Sequence, residues 1–266
     1  MQFFIEGVGL LGPGLDGWAA SRPIFSGEAN HLDAPTNLRA SDMLPAAERR
    51  RSGVPIKLAL AVGQEAFMQS GRDFKTAATV FTSSGGDNDN VHAINTILAT
   101  APHEISPTRF HNSVHNAAAG YWCIATESHE PSTSICAHDA SFAAGLLEAA
   151  TQVTVDKSLV ALIAYDHPYP EPLNTLRPIT GAFGMALILS HQESEKSMAS
   201  VEIEFKSGKK ADSTLSNVAV EALRQGIPAA RGLPLLAALA SRKSALLTLA
   251  YFDNNHLDIR VAPCAP

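Results

Sequence analysis

Apolar positions along this chain follow two periods, and the places where one gives way to the other mark its elements. Residues 3–8 form a short β-type run closed by Gly9, Gly12, Pro13 and Gly14, and residues 16–20 open a short helix. Residues 21–45 are rich in Pro, Asn, Ser and Asp, which predicts a long surface connection. From 45 to 69 the spacing turns helical. Ile56, Leu58, Leu60, Ala61, Ala66 and Phe67 cover one broad face, and Gly71 ends the helix as a C-terminal cap. Residues 76–82, TAATVFT, read as a buried strand, and the polar loop SSGGDNDN follows. Helices are predicted at 91–99 and 116–126, with a connection over 105–112 between them. A strand at 132–136 gives way to a helix at 142–151. LVALIAY at 159–165 and GMALILS at 184–190 are continuously apolar, as strands buried on both faces are.

The remainder has a different texture. Residues 201–205 alternate as VEIEF, a half-exposed strand. Residues 215–240 are helical but broken near 226–228 and 232–234. Strands at 245–252 and 256–261 flank Asp253, Asn254 and Asn255, a hairpin signal. Buried strands alternating with helices predict an α/β fold with a largely parallel or mixed sheet. No internal repeat or low-complexity segment interrupts the pattern.

With 266 residues, 45% of them hydrophobic, the chain suits one large domain, or one domain with an appendage. A net charge of −6 argues against a nucleic-acid surface. No apolar run reaches the roughly 18 residues that a membrane span needs. The apolar start, MQFFIEGVGLLGPG, lacks a basic leader and reads as a strand and turn, not a signal peptide. Cys123, Cys136 and Cys264 form no paired spacing, which points to a reducing cytoplasm and to neither disulfides nor zinc. The ten histidines are scattered, so no metal site and no cofactor is expected.

The candidate chemistry lies at the strand–helix junction in PSTSICAHDASFAAGLLEAA, residues 131–150. A helix start offers unpaired N–H groups and partial positive charge, which would activate a thiol. This chain places His138 and Asp139 there, with Cys136 earlier. Asp139 is either an acid–base or nucleophilic group, or a cap that accepts from the amide of Phe142 or its neighbour. The cap is favoured, because capping stabilises the ionised carboxylate and weakens it as a base. Cys136 is expected in the strand as a small core residue. The SSGGDNDN loop lacks the Lys-Ser/Thr of a phosphate loop and the GxGxxG spacing, and reads as a backbone turn near a pocket. His111 and His115 would share a helix face, but lack a third ligand nearby, so polar contacts at an interface are expected. Arg49, Arg50 and Arg51 read as a solvated helix face.

With its elements in order, the chain resembles the β-ketoacyl synthase family, of thiolase fold. FFIEGVGLLGPG resembles that family's opening strand and turn, and LPAAERRRSGVPIKLALAVGQEAF its arginine-bearing segment and following helix. ATVFTSSGG, SPTRFHNSVHNAAAG, PSTSICAHDAS and GAFGMALILS resemble its later strand and glycine turn, Ala-Gly helix start, nucleophile elbow and Gly-rich strand. The match runs to about Ser190. The resemblance therefore implies an α/β, thiolase-like fold with one complete half at 1–190 and a reduced second half at 191–266, packed on the same domain.

The departures bear on function. The family's cysteine position falls on Asp139, and its His-Gly-Thr-type turn and Gly-Phe-Gly-Gly signature are absent. A carboxylate is a far weaker acyl acceptor than a thiolate, and its product would be a reactive anhydride. Such a chain is similar to chain length factors, the inactive synthase homologues that pair with an active ketosynthase in type II polyketide systems. Its short length is similar to that of the synthase-like subunits of bacterial aryl polyene clusters. The resemblance implies no catalytic residue and no metal or cofactor. It implies a dimer strand of Ser132, Thr133, Ser134, Ile135 and Cys136. It also implies an acyl-tunnel and interface set of Phe110, Ser113, Val114, His115, His138 and Asp139. The implied partner is an active ketosynthase subunit, in a heterodimer or a higher assembly, with acyl carrier protein engaged indirectly. Two alternatives stay open: a free-standing acyl-thioester enzyme using Asp139, and a homodimeric acyl-binding protein.

Overall fold

A computed structural model describes residues 1–100, 104–252 and 254–265. The first strand, β1 (Gln2–Gly12), runs past the glycines expected to close it. A β-carbon on Gly9 would collide with the backbone carbonyl of Val62, so this glycine marks the close approach of a helix and not the strand's end. β2 (Leu15–Asp16) folds back on β1. The first helix, α1 (Trp18–Ser26), starts later than expected and takes up the beginning of the supposed surface connection. Its first amide, from Trp18, donates to Glu65 Oε1 at 2.5 Å. The single helix expected at 45–69 is two: α2 (Ala46–Arg51) and α3 (Val54–Ser70). Pro55 has no N–H and its ring would clash with the carbonyl four residues earlier, so it fits only the first turn of a helix, and the break at Ser52 and Gly53 puts it there. Gly71 caps α3 as expected, at φ +61° with its N–H on Phe67 O at 2.8 Å.

β3 (Ala77–Thr82) and α4 (Asn88–Thr100) follow. α5 (Pro107–Asn112) forms where only a connection was expected. Ser106 Oγ accepts from the Arg109 amide, and Pro107 occupies a first-turn position that needs no N–H. Then come α6 (Ala117–Thr126), β4 (Ser132–Ile135), α7 (Ser141–Val155), β5 (Leu159–Asp166), the single turn α8 (Leu173–Leu176) and β6 (Phe183–Ser190). β7 (Ala199–Ser207) precedes α9 (Val218–Gly226), a 3-10 turn (Pro228–Gly232) and α10 (Leu233–Ser241), the breaks falling at the glycines and prolines. β8 (Ala245–Tyr251) and β9 (Asn255–Pro263) pair as the expected hairpin, whose Asp253 lies outside the described residues.

The described strands make one mixed sheet in the order β4-β3-β5-β6-β1-β7-β9-β8, with β2 on β1. β4, β3 and β5 are parallel, and the pairings from β5 through β6 to β8 are antiparallel. Successive residues point to opposite faces. Val160, Leu162 and Ala164 of β5 join one core with Phe142, Leu146 and Ala149 of α7. Ala161, Ile163 and Tyr165 join the other, with Leu58, Val62 and Phe67 of α3. That is why β5 and β6 read as unbroken apolar runs. Each core holds one tryptophan, Trp18 in the α7 layer and Trp122 in the α3 layer, both buried. Trp122 sits among Phe67, Phe74 and Phe81 at ring-centroid distances of 5.7, 5.9 and 6.4 Å.

Candidate functional site

The loops at the C-terminal ends of the parallel strands β3, β4 and β5 converge on the junction before α7. Ile135 is the last residue of β4, and the chain then turns through Cys136, Ala137 and His138. His138 lies in the left-handed region at φ +53°, which costs a residue with a β-carbon roughly 1 kcal/mol. The turn is held by Ser141, whose Oγ accepts from the Ala137 amide at 3.0 Å and donates to His138 O at 2.7 Å. Thr82 at the end of β3 donates its hydroxyl to Ser141 O at 2.6 Å. Sequence reading passed over Ser141, although a serine at a helix start signals such a clasp.

Two expectations fail here. Asp139 caps nothing: neither the short 3-10 turn His138–Ala140 nor α7 has a side-chain cap. Its carboxylate turns outward, and Oδ1 accepts from Arg177 Nη2 at 2.8 Å. A charge-assisted bond to a guanidinium replaces the neutral bond to an amide. Cys136 is not a core residue but exposed, because β4 is the edge of the sheet and ends before it. Its thiol donates to Ser84 O at 3.2 Å.

Arg177 continues a polar chain into the core. Its Nη1 donates to the Tyr169 hydroxyl, which lies 3.2 Å from Ser84 Oγ. Ser84 in turn donates through both its amide and its hydroxyl, each at 2.8 Å, to Asp166 Oδ1. Ser83 Oγ adds a third donor at 3.1 Å, and the Ala229 amide of the 3-10 turn reaches Oδ2 at 2.8 Å. Asp166 is buried. That burial lifts its carboxyl above the ordinary range, although the serine and backbone donors oppose the shift. The SSGG loop is thus a turn beside the site, as expected, and its serines clamp a carboxylate.

His138 and Asp139 face two clefts. One, of about 270 Å³, is lined by Ala137, Ala143, Arg231, Leu249 and Phe252, and the other, of about 400 Å³, by Arg177, Pro178, Gln225 and Arg231. Both ring and carboxylate are more than half exposed, and His138 Nδ1 is 3.6 Å from Asp139 Oδ1. His111 and His115 share no helix, since α5 ends at Asn112 and α6 starts at Ala117. His115 Nε2 instead lies 3.3 Å from Ser83 O, behind the loop that holds Asp166. Phe110 and Val114 are exposed, and Ser113 donates its hydroxyl to Phe110 O at 2.8 Å. The arginine run is solvated as expected, with Arg49 and Arg51 paired to Asp42 and Glu48.

At the sheet edge, Pro131 O and Ile135 O accept from the amides of Thr79 and Ser83 at 2.9 and 3.2 Å. By the period-two alternation, Ser132 and Ser134 turn their N–H groups away from β3. No strand among the described residues pairs with that side. One further grouping was not foreseen: Asp87 and Asp89, two residues apart, and the distant His167 bring ligand-type atoms within 4.8 Å of one another. No helix among the described residues is long and apolar enough to cross a membrane.

Comparison with known proteins agrees with this geometry. A ketosynthase in complex with its chain length factor from Xenorhabdus doucetiae (ApeO and ApeC) superposes with TM-score 0.73 at 21% identity, covering 98% of this chain and 99% of that one. The ishigamide ketosynthase/chain length factor superposes with TM-score 0.76 at 14% identity over 100% of both chains. A type II polyketide acyl carrier protein in complex with its ketosynthase (AntDE:AntF) gives 0.77 at 9% identity over 99% of both. At these identities the likeness is one of fold. No curated protein matches the chain. The sequence profile described as "Beta-ketoacyl synthase, N-terminal domain" matches residues 18–251, most of the chain. With its mixed α/β sheet and the elbow between β4 and α7, this thiolase-like chain belongs to the β-ketoacyl synthase N-terminal domain family.

Proposed function

We propose that this chain is a non-catalytic subunit of chain length factor type, which pairs with an active ketosynthase and shapes the tunnel into which its acyl chain grows. The observation that carries this reading is the elbow itself. Its backbone is clasped by Ser141, and Asp139, which the resemblance puts at the family's cysteine position, is already engaged with Arg177. Among the described residues Asp139 has no acid–base partner within hydrogen-bond reach: His138 Nδ1 lies at 3.6 Å, and both side chains are more than half exposed. The open edge of β4 supports pairing through Ser132–Ile135, with Cys136 just beyond, since strand addition satisfies outward N–H and C=O groups. Phe110, Ser113, Val114 and His115 would line the partner-facing side, with the exposed Phe110 as the bulk that limits chain length. Catalysis and most of the acyl carrier protein docking fall to the partner, and the product is of the conjugated, aryl polyene type. The complex works in the cytoplasm. Residues 1–190 supply the ketosynthase-like half, and 191–266 a shortened second half.

Two measurements test this. Incubation of the isolated chain with an acyl carrier thioester, followed by intact-mass analysis, should show no acyl adduct. An adduct on Cys136, the exposed thiol, would overturn the non-catalytic reading. In the reconstituted pair, Phe110→Ala should lengthen products at unchanged heterodimer yield. An unaltered product distribution would mean that the partner alone bounds the tunnel.

A further inference from the structure

His167 follows Asp166 at the end of β5, and its side chain is buried. Its Nε2 has no hydrogen-bond partner among the described residues, and its Nδ1 stands 3.9 Å from Asp89 Oδ2, beyond hydrogen-bond reach. A buried imidazole without a partner is costly, and buried polar groups are normally satisfied. Asp87, also buried, accepts at Oδ1 from the Asn90 amide at 3.1 Å and at Oδ2 from the Asn90 side chain at 2.7 Å. Each carboxylate oxygen keeps a second lone pair. The cap on α4 accounts for Asp87, but it leaves His167 unexplained.

The three residues offer one nitrogen and two carboxylate oxygens, all within 4.8 Å of one another. Metal–ligand distances of about 2.1 Å at tetrahedral angles separate ligand atoms by roughly 3.4 Å. Any two of the ligand atoms must therefore close by at most about 1.4 Å, and the His167–Asp89 pair, at 3.9 Å, by about 0.5 Å. Asp89, with its side chain 56% exposed, has the freedom to do so. We propose that Asp87, Asp89 and His167 bind a divalent transition-metal ion of the zinc type, with water completing the shell. The imidazole selects against magnesium and calcium, which take oxygen donors. The ion would tie the end of β5 to the start of α4. Asn90 Oδ1, in the first turn of that helix, accepts from Arg109 Nη1 of α5 at 3.2 Å. The bound ion thus braces the helix that carries Phe110.

The site stands on the isolated chain and is tested there, so its failure leaves the pairing with a ketosynthase untouched. Chelator-treated protein is titrated with Zn²⁺ by calorimetry, and with Co²⁺ by visible absorption. The expected result is one zinc per chain. Outer-shell changes already weaken metal sites 10–100-fold, so His167→Gln should weaken binding at least ~100-fold. Asp89→Asn, at the exposed ligand, should weaken it at least ~10-fold. Circular dichroism checks that each variant is folded, and Asp89→Asn decides the matter should His167→Gln not fold. No zinc bound by the wild type, or binding that survives in a folded variant, would overturn the site.

Discussion

The two edges of the sheet are finished differently. At β8, the segment before α9 lies along the outer edge. Ser213 donates its amide to Thr248 O and accepts from the Thr248 amide through Oγ, both at 2.9 Å, and Asp212 Oδ1 accepts from the Ala250 amide at 2.5 Å. Asp212 is itself pinned by Arg224 and Arg231 at 3.3 and 3.4 Å. At β4, the outward N–H groups of Ser132 and Ser134 meet nothing within the described residues. The chain covers one edge with a segment of its own and leaves at the other, among the described residues, a row of unpaired N–H and C=O groups, a template on which another strand can pair. The bare edge also adjoins the elbow, so whatever pairs there is held beside His138 and Asp139.

The sharpest way to break this contrast is Ser134→Pro. Proline removes an outward N–H without touching the bonds to β3, so the monomer should fold with little change in Tm. Association with the ketosynthase should weaken by up to about 100-fold, the upper end of the ~1–3 kcal/mol lost when a buried acceptor is left without its donor. Size-exclusion chromatography of the mixed subunits reads this directly, and full pairing by the variant would remove β4 from the interface.

At the covered edge, Asp212→Ala should cost about 2 kcal/mol in urea denaturation, because it leaves the buried Arg224 with Glu221 alone and uncovers the Ala250 amide. The variant should also self-associate without a partner. Acid should loosen the same cover. Hydrogen bonds from Arg224, opposed by burial, pull Glu221 down to about 2. A carboxyl depressed on folding contributes stability that is complete above its unfolded value near 4.5 and falls away as the pH drops toward 2. Urea midpoints at pH 7, 4 and 3 should decline in that order, and replacing Glu221 by Gln should flatten the decline.

The smallest effect is expected at the elbow. Asp139→Ala removes one exposed ion pair and no cap, so stability should change by no more than ~0.5 kcal/mol. Product formation by the reconstituted pair should stay within about tenfold, whereas loss of a true general base costs ~10²–10⁴. Complete loss of turnover with the heterodimer intact would promote Asp139 to a chemical role.

The contrast between edges was only half legible in the sequence. β5 and β6 declared themselves because burial on both faces leaves no polar position, and Gly71 because a left-handed cap needs a glycine. β1 was ended too early, since Gly9 looks the same whether it serves a turn or a helix pressed against the strand. The break before Pro55 and the helix after Ser106 did have local signals, a proline and a capping serine. The polar chain from Asp139 to Asp166 had none. Its links join residues brought together only by the convergence of three parallel strands, and a charged residue closing an apolar strand gives no hint of its donors. Cys136 was misplaced for the same reason: whether a strand is central or at an edge is a property of the sheet.

The placement of one tryptophan in each core layer makes the protein its own optical probe. Trp18 and Trp122 are the only two in the chain, and both are sealed from water. Native emission should therefore be blue-shifted and should move to the red as either layer opens. Replacing one indole by phenylalanine leaves a reporter for the opposite face of the sheet. Coincident curves from the two single-tryptophan proteins would mean that the layers melt together, and separated curves would mean that one face opens first.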